Sequence, residues 1–474
     1  MRRQPTTLRR QHSSFFLGSG GVRFRLVDHY HRRHDFTGVV VRLWLTCCII
    51  GISAAVIALV VDLISSGVYE LRVGLCEAVD EPVLRYVSWL GTSALAALSA
   101  TLLLKVVPHA AGSGLPEVKE ALMGIVLFDS FSTKCLLIKP VSLALALASS
   151  LSIGKEGPFI HCACIVAFQL VNGGAISFSN LVREQRELEA IITACAAGVV
   201  CTFGAPVGGV LFSAEITSTG AYAIEHLPRA FFCVTLSLSV VYVGLRPLLL
   251  LLGRPDPLAL FTTSFEAQHR FSACDMGAFA VQGALAALLA DFVVRAVRYA
   301  SAIRPYLRGR LGGLSTPSLV AMLCSATNLA LSGGECRGSY TDGGAATLGR
   351  LINAPFRGAT LAEEEEAADA ETPLALFTLL AFALLKLYVL SPLSLAMPTP
   401  TGVFLPTFVG GAASGHAYAV LLRRWLPNTF ALAVPGHCTS APPHNQTHRT
   451  PLAPRRAPPL PPPPLPRSPP PYLF

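Results

Sequence analysis

Apolar residues gather along this chain into long stretches at 39–67, 86–107, 133–151, 228–252, 276–298, 316–332 and 374–397. A helix needs about 20 apolar residues to cross a bilayer, so each stretch predicts a spanning or nearly spanning helix. Between them lie shorter apolar pieces at 114–123, 156–171, 187–203, 205–216 and 402–425. Those lengths suit half-membrane or strongly tilted helices. The pattern predicts an all-α polytopic membrane protein in which whole and broken helices alternate.

Three glycine and proline cassettes make the breaks: GSGLPE at 112–117, GKEGPFIH at 154–161 and GVFLP at 402–406. In hydrocarbon every backbone polar group must find an internal partner, so a broken helix is tolerated only where it faces protein or an aqueous cavity. Each cassette opens a new helix, whose free N–H groups carry roughly +0.5 of an elementary charge and attract anions. Broken helices whose N-termini meet near the midplane are a recurrent way to hold an ion there. Ser113 adds a hydroxyl to such a site. Glu156 stands out, because a carboxylate at membrane depth costs about 2.5–3.5 kcal/mol even on a lenient scale.

In this order and spacing the cassettes resemble the signature set of the CLC chloride channel and transporter family, and GAPVGGVLFSAE at 204–215 is similar to a fourth family segment. The resemblance runs from about residue 38 to about residue 436. It implies a CLC-type inverted repeat with broken half-membrane helices, expected to be incomplete in its second half. It implies chloride as the permeant ion, with Ser113, Gly114, Gly157, Val403 and Phe404 lining anion sites and Glu156 as a gate that competes with the anion. The plainer reading of Ser113 and Glu156 is helix capping, and capping and anion binding coexist at Ser113. Lys155 reads either as a steering charge at the pore mouth or as a snorkelling side chain. Within the family, serine at position 113 goes with chloride preference and proline with nitrate. Proton-coupled exchangers carry an internal glutamate where this chain has Ile216, so the resemblance favours a passive channel over an exchanger. SAEITSTG at 213–220 is also similar to the animal voltage-gated channels. A homodimer is implied as well.

Composition supports the membrane reading independently: 52% of residues are hydrophobic, 14% are charged, and the mean hydropathy is +0.54. The net charge of +9 is weighted to the flanks, with Arg2, Arg3, Arg9, Arg10, Arg23, Arg25, Arg32 and Arg33 ahead of the first apolar stretch. The positive-inside rule then predicts a cytosolic N-terminus. These arginines border a span and belong to no recognisable nucleic-acid module, so no nucleic-acid partner is expected. A short apolar core with a small-residue cleavage site is missing from the arm, so no secretory signal is expected; plasma and organelle membranes both stay open.

The 13 cysteines are scattered through apolar segments and read as small buried hydrophobes. His161, Cys162 and Cys164 lack a second ligand pair, so no metal is expected. A phosphate-binding loop would need glycine at 149 and a hydroxyl residue at 156, where the chain has Ser149 and Glu156. Neither an enzyme nor a cofactor is indicated. Lys386, inside an apolar stretch, is left without a role.

The expected organisation is a basic arm at 1–38, a first repeat at 39–252, a second at 253–435 after the breaker cluster GRPDP, and a proline-rich tail at 436–474. The polar segment 333–373, with Glu363 to Glu366, reads as a solvated loop. The tail reads as disordered or polyproline II, and PLPPPPLP at 459–466 as a ligand for SH3 or WW domains. Set against the family, the tail begins where further helices are expected, including a pore tyrosine, dimer-interface helices and a nucleotide-sensing CBS pair. A truncated product acting as a non-conducting regulatory or interaction subunit is the alternative of another class.

Overall fold

The computed structural model describes residues 8–10, 36–173, 180–217, 220–245, 273–312, 315–331 and 383–425. The described residues are mostly helical. They form α1 (Phe36–Glu77), α2 (Pro82–Val106), α3 (Leu115–Leu122), α4 (Thr133–Ala148), α5 (Glu156–Asn172), α6 (Asn180–Phe203), α7 (Pro206–Thr217), α8 (Gly220–Ser239), α9 (Ala273–Leu311), α10 (Ser315–Leu331), α11 (Ser391–Leu395) and α12 (Phe404–Trp425). Strand structure among them is confined to β1 (Leu8–Arg10) and β2 (Ile125–Leu127), paired antiparallel with Leu8 opposite Leu127, and to one isolated bridge described below. The breaker cluster at 253–257, the acidic loop at 333–373 and the tail at 436–474 lie outside the described residues.

Local chemistry sets the helix starts. Proline opens α2 and α3, where its missing N–H costs nothing. Ser132 caps α4 by accepting the Cys135 amide at 3.3 Å. Gly114 precedes α3 with φ +79°, a left-handed turn suited to glycine. Two helices outrun their apolar stretches. α1 continues to Glu77 because Tyr69 and Cys76 still pack on Trp89 of α2, and α9 extends to Leu311. The stretch 374–397 is described from 383, where it winds as a π-helix over Ala383–Leu390 and then as α11.

The core has two main bodies. One joins α1, the 104–135 region, α5, α6 and α8; the other joins α1, α2, α4, the 151–153 segment, α10 and the chain before α12. Both are rich in alanine, a small residue that lets membrane helices approach closely. α9 is the opposite: Met276, Phe279, Val281, Leu285, Leu288 and Phe292 are all exposed, as a lipid-facing helix requires. The α4–α5 linker, with Leu151 and Ile153 in the second body, delivers Glu156.

Candidate anion site

The three cassettes meet. Gly154 and Gly402 exchange both backbone hydrogen bonds, at 2.9 and 2.8 Å, forming an antiparallel bridge between the leads into α5 and α12. The Gly112 amide donates to the Thr399 carbonyl at 3.0 Å, which ties the lead into α3 to the same place. A Cβ at Gly157 would sit 2.9 Å from the Ser113 Cβ, so the first turn of α5 touches the α3 cassette only because residue 157 has no side chain. Three helix N-termini, each with N–H groups lacking an intrahelical acceptor, therefore converge, two of them from cassettes on one side of the sequence and the third from more than two hundred residues further on.

Glu156 occupies that junction. It is 3% exposed, and neither carboxylate oxygen has a hydrogen-bond partner of good geometry, although the backbone amides of Glu156 itself and of Leu405 face it. Its Oε2 lies beside Gly154 and 3.1 Å from the place a Cβ on Gly402 would take, so side chains at either glycine would collide with it. The buried carboxylate thus faces the partly positive N-terminal ends of these helices. Thr399 adds a buried hydroxyl without a partner.

The other sequence candidates fall around this point with different surroundings. Ser113 Oγ accepts the Leu115 amide at 3.3 Å, a turn contact one residue ahead of the Gly114 N-cap position, and Ser113 lies against Gly157. Gly114 is buried, and a side chain there would strike the His161 ring. Val403 and Phe404 open α12 with their side chains about half exposed; the Phe404 ring packs edge-on against Phe203, with centroids 4.8 Å apart. Lys155 is ion-paired: its Nζ lies 2.7 Å from Asp62 of α1 and 5.8 Å from the Phe159 ring centre. Ile216 is placed in the last turn of α7 by its backbone.

Other charged residues near the cassettes emerge only from the structure. Lys139, inside α4, is fully buried and its Nζ lies 2.9 Å from His161 Nδ1. His161 Nε2 has no partner, and its ring meets Phe131 edge-on at 5.3 Å. Of the His161, Cys162 and Cys164 group, His161 thus meets a lysine, while Cys164 Sγ lies 3.5 Å from Cys195 Sγ. Asp62 and Lys139 both carried a sequence signal, an ionisable residue inside an apolar span, which points to importance without naming a partner.

The family model described as voltage gated chloride channel matches residues 95–443. The chain belongs to the CLC family. Human chloride channel protein 2 is 30% identical over 402 residues, covering 81% of this chain and 44% of that relative. The chain thus spans less than half the length of this CLC relative. Among solved CLC structures, a eukaryotic CLC transporter matches with a TM-score of 0.62 and 24% identity, covering 84% of this chain and 63% of the other. A slow cyanobacterial Cl−/H+ antiporter matches at 0.61 and 19%, covering 82% and 81%. At those identities the structures speak for the fold: a helical CLC membrane protein with interrupted helices.

Proposed function

We propose that this CLC chain forms a chloride pathway through a membrane, with passive conduction gated by Glu156. The carrying observation is the convergence of the GSGLPE, GKEGPFIH and GVFLP cassettes on one buried carboxylate with no hydrogen-bond partner of good geometry. Chloride would be held by the N–H groups at 113–114, 156–157 and 403–404 and by the Ser113 hydroxyl. In the closed state the Glu156 carboxylate takes the anion's place; protonation or outward rotation vacates it. The name of the human relative and the resemblance of the 213–220 segment to animal channels support a channel, and Ile216 supplies no proton-carrying group where the exchangers have a glutamate.

A proton-coupled exchanger is the second reading, favoured by the titles of the structural neighbours. The two differ in stoichiometry. Purified protein reconstituted in liposomes, with chloride efflux and internal pH followed together, tests them: chloride movement without proton movement supports the channel, whereas uphill proton transport driven by a chloride gradient establishes the exchanger. The same reading places the N-terminus in the cytosol, by the positive-inside rule, and expects a second copy as partner. The apolar residues Val207 and Leu211 of α7 and Phe231 of α8, all exposed, support a contact there.

A further inference from the structure

The α4–α5 linker, residues 149–155, carries the chain into Glu156, and it is pinned along its length. Ser149, Ser150 and Ser152 are all buried. The Ser149 carbonyl accepts from Ser93 Oγ of α2, while Ser152 Oγ lies 2.6 Å from Ser391 Oγ of α11. Ser150 has φ +63°, the left-handed region that a residue with a side chain rarely adopts. Such a conformation persists only where its surroundings enforce it.

The enforcing group is Arg72 of α1, which is 2% exposed. Its Nη1 donates to the Ala148 carbonyl and to Ser150 Oγ at 3.1 Å. Its Nη2 donates to the Trp89 carbonyl and to Ser325 Oγ, each at 3.4 Å. Its Nε donates to Thr92 Oγ1 at 3.4 Å, and the guanidinium stacks 4.3 Å from the Trp89 ring centre. All of these acceptors are neutral, and among the described residues Arg72 makes no ion pair. Buried charge without a counter-ion is costly. The compensation here is the carbonyl end of α4, whose last residue is Ala148 and which carries roughly −0.5 of an elementary charge. A fork of five donors thus grips a helix C-terminus and the left-handed serine that follows it.

We infer that Arg72 is a positioning residue for the anion site: by fixing where the linker leaves α4, it sets where Gly154 meets Gly402 and where Glu156 begins α5. The inference rests on the proposed anion pathway for its functional consequence, and on geometry alone for the positioning. Arg72 makes no hydrogen bond to Glu156, so it acts through residues 148–155.

The test compares wild type, Arg72→Met, Arg72→Lys and the exposed control Arg295→Met, each purified and folded. Amide hydrogen exchange is read over peptides 149–156, 399–405 and 220–239, and liposome flux is measured for chloride against thiocyanate. Positioning predicts that Arg72→Met speeds exchange at least tenfold in the first two peptides and leaves the third unchanged. It also predicts at least a threefold loss of the chloride-to-thiocyanate preference, with Arg72→Lys intermediate in both. Linker exchange within twofold of wild type overturns the inference. So does faster exchange with wild-type selectivity and flux per folded protein, since the role is then structural only. If wild type carries no anion flux, the conduction reading fails and the exchange arm alone decides the positioning. If Arg72→Met does not fold, Arg72→Lys is judged by the same thresholds halved.

Discussion

Gly157→Ala probes the contact that joins two cassettes. The added Cβ would lie 2.9 Å from the Ser113 Cβ and 3.5 Å from both the Ser113 Cα and its carbonyl oxygen. Comfortable carbon contacts are about 3.5–4.0 Å, so Ser113 and the first turn of α5 must separate by about 0.6–1 Å. Ser113 has little room to yield, because its neighbour Gly112 is bonded to Thr399 and its own hydroxyl accepts the Leu115 amide. Overpacking of this kind costs about 1–3 kcal/mol. If about half of that strain is relieved by moving the anion donors apart, roughly 0.5–1.5 kcal/mol is lost from ion stabilisation, or about 2- to 13-fold in flux. The assay is chloride efflux per folded protein, with thermal unfolding in parallel. The control is Gly91→Ala in α2, where an added methyl meets nothing within 4 Å and should stabilise by about 0.5–1 kcal/mol. Wild-type flux and wild-type thermal stability in Gly157→Ala would refute the packing of the two cassettes.

Asp62→Asn leaves the Lys155 ammonium without its counter-charge one residue from Glu156. With the pair largely shielded from solvent, removing one partner should destabilise by about 1–3 kcal/mol, below the range for fully buried pairs. Denaturant titration and the anion dependence of flux check this, and Asp62→Glu should restore most of both. Ser113→Pro removes the hydroxyl that the family resemblance links to chloride preference, so nitrate should gain relative to chloride in competitive flux; an unchanged ratio would detach selectivity from this position. Ser132→Ala deletes the α4 cap and should cost about 1 kcal/mol in thermal unfolding, leaving anion preference unaltered.

Among the described residues, three of the seven long apolar stretches form helices long and apolar enough to span a membrane, Val40–Glu77, Pro82–Val106 and Met276–Tyr306, while proline and glycine announce each break. The three cassettes were legible as helix starts, and the structure brings their leads together through the 154–402 bridge. What the pattern missed lies mostly in long-range pairing. Lys155 and Asp62 are 93 residues apart, and nothing local to either identifies the other; the same holds for Lys139 with His161 and for Arg72 with the α4 terminus. The overshoot of α1 beyond residue 67 reflects packing on Trp89, which outweighs the fall in apolarity after Ser66. The π winding at 383–390 had no signal in the apolar pattern, since it changes hydrogen-bond register without changing composition.

On the proposed reading, the buried Glu156 carboxylate occupies the place of an anion at the junction of three helix N-termini. Chloride efflux from liposomes, compared for wild type, Glu156→Ala and Glu156→Gln under one gradient, tests it most directly. The account predicts higher chloride flux in both variants at neutral pH, with the response to external acidification abolished. Flux in both variants equal to or below that of equally folded wild type, still responsive to acid, would contradict it.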